Sequence, residues 1–179
     1  MYFTIDEAMS AARSRTQYSF ESASILTESM DSHKSTDRYD VFLSHSISDS
    51  NLVLGVKTLL EEKFNLRVYV DWIEDKQLNR ESVSVGTADT LRKKMQQSNS
   101  LFYLTTENSS KSKWMPWELG YFDGHKPNKV AILPVLKNSF ETFKGQEYLG
   151  LYPVIHKDGL KNSSGVKIVD INSFTSAKY

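Results

Sequence analysis

The sequence contains a short and mostly apolar run, Tyr39-Asp40-Val41-Phe42-Leu43-Ser44, which is followed by the polar residues 45–49. A run of this length, bounded by polar residues, is typical of a β-strand that is buried on both faces. Apolar residues then recur at helical spacing over residues 50–63, which predicts an amphipathic helix. A buried strand followed directly by such a helix is the beginning of a βαβ unit.

The same alternation of strands and helices continues along the chain. Further strands are predicted at residues 67–71, 101–105, 130–135 and 152–155, and further helices at residues 87–98 and 113–123. For the helix at 113–123 we expect a cap at Ser112, an end at Gly124, and a core-facing side formed by Met115, Leu119 and Phe122. Short strands that alternate with helices indicate a parallel sheet.

We therefore predict an α/β fold, a flavodoxin-like, doubly wound parallel sheet of five strands in the order 2-1-3-4-5. In such a sheet, ligands bind beyond the carboxyl ends of strands 1 and 3, where the winding reverses. The loops at residues 44–49, 71–80 and 105–113 are expected to border this crevice. Functional side chains should therefore lie in these loops and in the elements that follow them.

The composition changes along the chain and predicts three regions. Residues 1–37 are rich in serine and threonine and form an N-terminal helical extension or leader, residues 38–156 form the α/β domain, and residues 157–179 form a polar C-terminal tail. Within the extension, Thr4 and Glu7 have the spacing of a capping box, which predicts a helix at about 5–14. A second, weaker helix is predicted at 19–30.

The overall composition excludes several classes of protein. The 22 basic residues equal the 22 acidic ones, so the sequence does not support nonspecific binding to nucleic acid or to anionic lipid. The chain has no cysteine, which excludes disulfides, thiolate zinc sites and cysteine nucleophiles. No apolar stretch approaches the roughly 20 residues of a membrane span, and no signal peptide is recognisable at the N-terminus. We expect a soluble, cytoplasmic protein.

Several well-known catalytic and nucleotide-binding motifs are missing. There is no GxGxxG after the first strand and no GxxxxGK[ST], so a bound nucleotide would not be held by a glycine-rich loop. The absence of GxSxG argues against an ordinary serine hydrolase. The four histidines are scattered without metal-binding spacing, so we expect no metal site.

Polar residues instead cluster where the predicted strands end. Ser44, His45 and Ser46 follow the first strand, and Asp71 and Trp72 follow the second. In the helix at 113–123, Trp114 and Glu118 lie one turn apart and share a face. Each group also has a structural interpretation, as helix caps, turn residues or a pair on a helix surface. Their common position near the predicted crevice favours a functional role.

Three landmarks resemble the TIR (Toll/interleukin-1 receptor) domain family. Residues 39–46 are similar to the family's opening strand, residues 68–71 to its second strand, and residues 112–120 to its third-helix motif with tryptophan four residues before glutamate. They occur in the family's order, and the resemblance covers residues 38–156. It is strongest to prokaryotic TIR proteins of anti-phage defence, and it implies the flavodoxin-like fold already predicted.

Many TIR domains cleave NAD⁺, and the resemblance implies a role for individual residues here. Glu118 matches the catalytic glutamate, and Trp114 matches the tryptophan at the nicotinamide end. The other matching positions are implied to contact substrate: Ser44, His45 and Ser46 after the first strand, and Asp71 and Trp72 at the start of the long BB loop at about 72–83. Some relatives carry basic residues just after the first strand, where this chain has Ser46 and Ile47. Arg80 or Arg92 is the expected substitute for their phosphate contacts.

The implied activity is that of an NAD⁺ nucleosidase, which releases nicotinamide and an ADP-ribose product or a cyclic isomer of it. The resemblance also implies activation by TIR–TIR self-association, a downstream effector that senses the product, and no cofactor besides NAD⁺ as substrate. Two alternatives remain open from the sequence. One is a TIR scaffold without enzymatic activity, and the other is an enzyme similar to nucleoside deoxyribosyltransferases, which use a glutamate as covalent nucleophile.

Overall fold

The computed structural model describes residues 1–21, 38–74, 84–138, 140–157 and 160. Its central element is a parallel sheet of five strands in the spatial order β1-β5-β4-β2-β3. The strands are β1 (Phe3–Thr4), β2 (Tyr39–Ser44), β3 (Val68–Tyr69), β4 (Ser98–Thr105) and β5 (Val130–Leu136). The predicted class, a five-stranded doubly wound parallel sheet, is confirmed.

Helices cover both faces of this sheet. They are α1 (Ile5–Glu21), α2 (Ser50–Phe64), the short α3 (Asp71–Glu74), α4 (Val85–Gln97) and α5 (Trp114–His125). One apolar cluster joins the sheet to α1 and α2, and a second joins it to α4 and α5. Side chains alternate between the faces along each strand, so Val41 and Leu43 belong to the first cluster and Phe42 belongs to the second.

The outer edge of β5 is shared by the two ends of the described chain. β1 pairs with Val135 and Leu136, and Val154 forms a single parallel bridge with Ile132. The fifth strand predicted at 152–155 is therefore present as one bridge, flanked by the hydrogen bonds Ile132 N to Pro153 O and Ile155 N to Ile132 O. The predicted strands 1, 2, 3 and 4 correspond to β2, β3, β4 and β5. These four strands occur in the predicted spatial order, 2-1-3-4.

The N-terminal helix forms as the capping box predicts. The Thr4 amide donates to Glu7 Oε2 at 2.9 Å, and the Glu7 amide donates to Thr4 Oγ1 at 3.3 Å. The helix is longer than predicted and packs on α2, where Gly55 lies directly against the backbone of the fully buried Ala8. A second helix was predicted at 19–30; residues 22–30 of it, and residues 161–179 of the tail, lie outside the described residues.

Helix α5 begins as predicted but ends later. The Met115 amide donates to Ser112 Oγ at 3.3 Å, which confirms Ser112 as a cap, and the core side of the helix is buried as expected. The predicted end at Gly124 is wrong, because the helix continues to His125 and the Lys126 amide donates to Phe122 O at 2.7 Å. The Lys126 ammonium also binds the carbonyls of Gln96 and Ser98, which holds this end against α4 and β4.

The described helices include none that is both long enough and apolar enough to cross a bilayer.

Candidate active site

A buried carboxylate at the carboxyl end of the sheet forms the centre of the site. Glu118, in the second turn of α5, has no solvent-exposed surface, and Ser44 Oγ at the end of β2 donates to its Oε2 at 2.6 Å. Ser44 is also fully buried. A carboxylate is costly to bury without hydrogen bonds, so this short bond is an important part of what holds Glu118 in place.

Trp114 lies one helical turn before Glu118 and is 6% exposed. Its ring packs edge-on against Trp117, with the centroids 5.4 Å apart and an interplanar angle of 79°. The predicted shared face of Trp114 and Glu118 is therefore buried in the domain. The tryptophan has a fixed orientation at the start of the helix.

His45 connects the end of β2 to the start of α3. Its Nδ1 lies 2.8 Å from Leu43 O, and its Nε2 lies 3.3 Å from Asp71 Oδ1. The Asp71 carboxylate also accepts a hydrogen bond from the Trp72 amide at 2.8 Å. Because His45 and Asp71 are both almost completely buried, this contact fixes the first residue of the long loop relative to the sheet.

The loops after β2 and β4 are joined by a second polar contact. Asp49 accepts hydrogen bonds from Thr106 Oγ1 at 2.6 Å and from Asn108 Nδ2 at 2.7 Å. Ser46 caps the 3-10 turn at 47–49 and accepts from the Ser48 amide at 3.4 Å. Together with the contact between His45 and Asp71, these bonds confirm that the described parts of the three predicted loops converge at one end of the sheet.

Two predicted substrate contacts have other partners in the described structure. Trp72 packs against the apolar cluster under α1 and α2, whereas Glu118 lies on the helix that covers the other face. Arg92 is held on the outside of α4, where it binds Asp89 at 2.7 Å and stacks over the Trp117 ring at 5.3 Å. Arg80 lies outside the described residues.

Tyr103 belongs to the site and was not found from the sequence. It pairs in register with Ser44, is fully buried, and its hydroxyl lies 3.4 Å from the Tyr148 hydroxyl. Burial raises the pKa of Tyr103, and the neighbouring Tyr148 and Glu118 raise it further, so the phenol stays neutral. The only sign of Tyr103 in the sequence is that a tyrosine occurs within the apolar strand β4. The pairing register that places it beside Ser44 cannot be read from the sequence.

The described residues contain no group of three or more histidine, aspartate and glutamate side chains that could hold a metal ion.

Comparison with known proteins identifies relatives of this chain. It is 52% identical over 145 residues to "Probable 3' cyclic ADP-D-ribose synthase ThsB'" of Bacillus cereus. The aligned region covers 80% of this chain and 74% of the relative. It is 38% identical over 84 residues to TIR2 of Cytobacillus dafuensis, which carries a cyclic ADP-D-ribose synthase name, and this match covers 46% of the chain and 22% of the relative.

A solved structure is also similar. The TIR domain of the Toll-related receptor TRR-2 from Hydra magnipapillata aligns with a TM-score of 0.45 and 17% identity, over 63% of this chain and 78% of that one. No family model matches the sequence. The identity and coverage of the Bacillus cereus relative assign the family: this chain belongs to the bacterial TIR proteins named cyclic ADP-D-ribose synthases.

Proposed function

We propose that this protein cleaves the bond between nicotinamide and ribose in NAD⁺ and forms a cyclic ADP-ribose as product. The observation that carries the proposal is the buried Glu118 carboxylate, held by Ser44 at the carboxyl end of the sheet. The names of the two relatives support the class of product.

The chemistry requires few groups. When the glycosidic bond breaks, its electron pair leaves with nicotinamide, which departs as a neutral molecule and needs no general acid. Positive charge then develops at the ribose carbon in an oxocarbenium-like transition state. A single fixed carboxylate stabilises this charge, and its effect is large in a site that excludes water.

The described residues have separate roles in this scheme. Glu118 faces the developing charge, and Ser44 orients its carboxylate. Trp114 provides a flat wall for the cationic nicotinamide ring. His45 and Asp71 fix the start of the loop that would cover the substrate. Because Glu118 is completely buried in the present structure, groups near it must move before NAD⁺ can bind.

We further propose that the enzyme acts in the cytoplasm, in prokaryotic anti-phage signalling, with a downstream effector that senses the product. The motifs shared with TIR proteins support these proposals, and so does membership of the family. The buried state of Glu118 is consistent with a single chain that is weakly active and is activated by TIR–TIR self-association, because a contact with a second copy could displace the covering groups.

The test is incubation of the purified chain with NAD⁺ under crowding, with nicotinamide and the partner product followed by mass spectrometry. Wild-type protein should release nicotinamide, and Glu118→Gln should lower kcat by about 10²- to 10³-fold. Glu62→Gln, an exposed glutamate on α2, is the matched control and should behave as wild type. Thermal unfolding of each variant shows whether it is folded.

Two outcomes would contradict the proposal. Intact NAD⁺ with concentrated wild-type protein indicates a scaffold. Exchange of bases between deoxynucleosides, lost in Glu118→Gln, indicates an enzyme of the deoxyribosyltransferase type.

A further inference from the structure

A cavity of about 670 Å³ lies at the carboxyl ends of β4 and β5. The starts of α1 and α2 line one side of it, and residues 141–146 and Leu149 line another. Its volume falls within the roughly 300–1,000 Å³ of small-molecule sites. Ser44, His45, Asp71 and Glu118 are not among its lining residues, so the cavity is separate from the buried carboxylate.

The hydroxyl of Thr105 in the cavity wall is unusual. Thr105 is 6% exposed, and its Oγ1 is buried with no hydrogen-bond partner in the part of the chain that the structure describes. Buried polar atoms in proteins nearly always have a partner. A polar atom of a ligand in the cavity would supply it once the Thr105 side chain turns its hydroxyl toward the cavity.

The other lining groups indicate the class of ligand. Leu52, Val135 and Leu149 form an apolar wall, and Phe143 adds an aromatic ring, which together suit a flat base. Lys144 is exposed at the cavity, and its ammonium has no ion-pair partner among the described residues. An apolar wall, an unpaired hydroxyl and a cation together match the base, ribose and phosphate of a nucleotide.

Two tyrosines connect this cavity to Glu118. Tyr103 precedes Thr105 by two residues on β4, and its hydroxyl lies beside that of Tyr148. The Tyr148 hydroxyl donates to Gln146 Oε1 at 2.5 Å, and Gln146 lines the cavity. Tyr103 pairs in register with Ser44, whose hydroxyl donates to Glu118 Oε2, so the carboxylate lies near the other end of this pair. The tyrosine pair therefore separates Glu118 from the cavity, and a dinucleotide with one ribose at Glu118 would pass these side chains to place its second nucleotide in the cavity.

We infer that the cavity binds the adenosine phosphate half of NAD⁺, an inference that rests on the proposed function. Holding this half next to Glu118 brings a hydroxyl of the adenosine ribose close to the carbon that loses nicotinamide. The bond from that carbon to nicotinamide breaks, the hydroxyl oxygen bonds to the carbon, and the hydroxyl proton passes to solvent. Water competes for the same carbon and gives ADP-ribose. The cavity therefore favours the cyclic product over hydrolysis.

The binding test uses the full chain carrying Glu118→Gln, with ADP-ribose, AMP and adenosine as probes in calorimetry. Thr105→Val keeps the side-chain shape and removes the hydroxyl, and it should weaken all three probes by about 3- to 10-fold. It should also raise Tm of the free protein by about 1–4 °C, because no hydrogen bond is lost. Thr58→Val is the matched control, since the Thr58 hydroxyl is buried but bonded to Leu54 O at 2.9 Å; it should leave the affinities unchanged.

Lys144→Glu tests the phosphate contact at an exposed position where folding is not at risk. It should weaken ADP-ribose and AMP but leave adenosine unchanged, and Lys63→Glu on α2 is its control. In the active chain, Thr105→Val should raise KM for NAD⁺ and lower the ratio of cyclic product to ADP-ribose.

Failure of this inference and failure of the proposed function give different results. If wild type releases no nicotinamide, the proposed function fails. If nicotinamide is released but Thr105→Val and Lys144→Glu leave the probe affinities, KM and product ratio unchanged, the inference about the cavity is overturned. A fall in Tm in Thr105→Val would also contradict it, because the hydroxyl would then have a structural role.

Discussion

Ser44 donates its hydroxyl hydrogen to Glu118 across 2.6 Å, and both side chains are completely buried. The contact joins the end of β2 to α5, which are 74 residues apart in the sequence. The resemblance to TIR domains implied that Ser44 contacts substrate. The geometry adds a second role, as the residue that orients the carboxylate.

Ser44→Ala should therefore lower kcat with little change in KM. Loss of a hydrogen bond to a charged group corresponds to about a 10- to 100-fold decrease in rate. Steady-state kinetics of nicotinamide release would measure it. Ser100→Ala is the matched control, because Ser100 is also buried and donates to Asp40 O at 2.7 Å, near the other end of the sheet. A raised KM with unchanged kcat would favour a direct substrate contact.

The contact between His45 and Asp71 should appear as a large coupling energy. Removal of one side of a buried polar contact leaves the other group buried without its partner, which costs about 1–3 kcal/mol, so His45→Ala and Asp71→Ala should each be destabilising. The free energy of unfolding lost in the double variant should be about 1–3 kcal/mol smaller than the sum of the losses in the two single variants. Urea unfolding measures these values. The exposed pair Arg92 and Asp89, 2.7 Å apart, should show a coupling below about 1 kcal/mol. Additive losses for His45 and Asp71 would show that the two side chains do not interact.

Two helical glycines should respond to alanine in opposite directions. A Cβ at Gly55 would lie 1.8 Å from Ala8 O in α1, so Gly55→Ala must separate the two helices and should cost about 1–3 kcal/mol. A Cβ at Gly120 meets nothing within 4 Å, so Gly120→Ala in α5 should stabilise the protein by about 0.5–1 kcal/mol. Thermal unfolding of both variants checks the prediction. A neutral Gly55→Ala would mean that α1 does not pack on α2 as described.

Acidification should weaken the attachment of the N-terminal helix. Burial alone would raise the pKa of Glu7, but hydrogen bonds from Lys157 and Thr4 outweigh it and hold the pKa below 4.5. A lowered carboxylate pKa gives stability that is fully present above pH 4.5 and is lost as the pH falls through the folded-state pKa. Tm measured from pH 7 to pH 3 should decrease more steeply for wild type than for Glu7→Gln. Identical slopes would exclude a contribution from Glu7.

The parts of the fold that were predictable depend on local patterns. The alternation of apolar runs with helical spacing was enough to predict β2, β4, β5, α2 and α5, because each carries its own signal over five or more residues. The capping box at Thr4 and Glu7 likewise involves only neighbouring residues. The edge strand β1 could not be predicted, because it has only two residues and its partner Val135 is distant in the sequence.

The candidate site, like the fold, was predictable only where it depends on local patterns. The tryptophan and glutamate of α5 and the polar residues after β2 were found because they form short motifs. The contact of Ser44 with Glu118, the pairing of His45 with Asp71 and the position of Tyr103 each depend on how separate elements align. A helical turn begins at Asp71 and redirects the chain, so Trp72 packs on the face of the sheet that α1 and α2 cover, opposite to the face covered by the helix that carries Glu118. The sequence did not indicate this position of Trp72.

The shared edge of β5 has a consequence for biosynthesis. Val135 is synthesised 132 residues after its partner Phe3, and Val154 completes the edge later still. The apolar face of α1 can pack on α2 during translation, but β1 can pair only after β5 has been synthesised. Such distant pairings slow folding. In partly synthesised chains the unpaired sheet edge is exposed, which favours aggregation. Slower translation should therefore do little to help this protein reach its native state, whereas a chaperone that shields β5 should raise the yield.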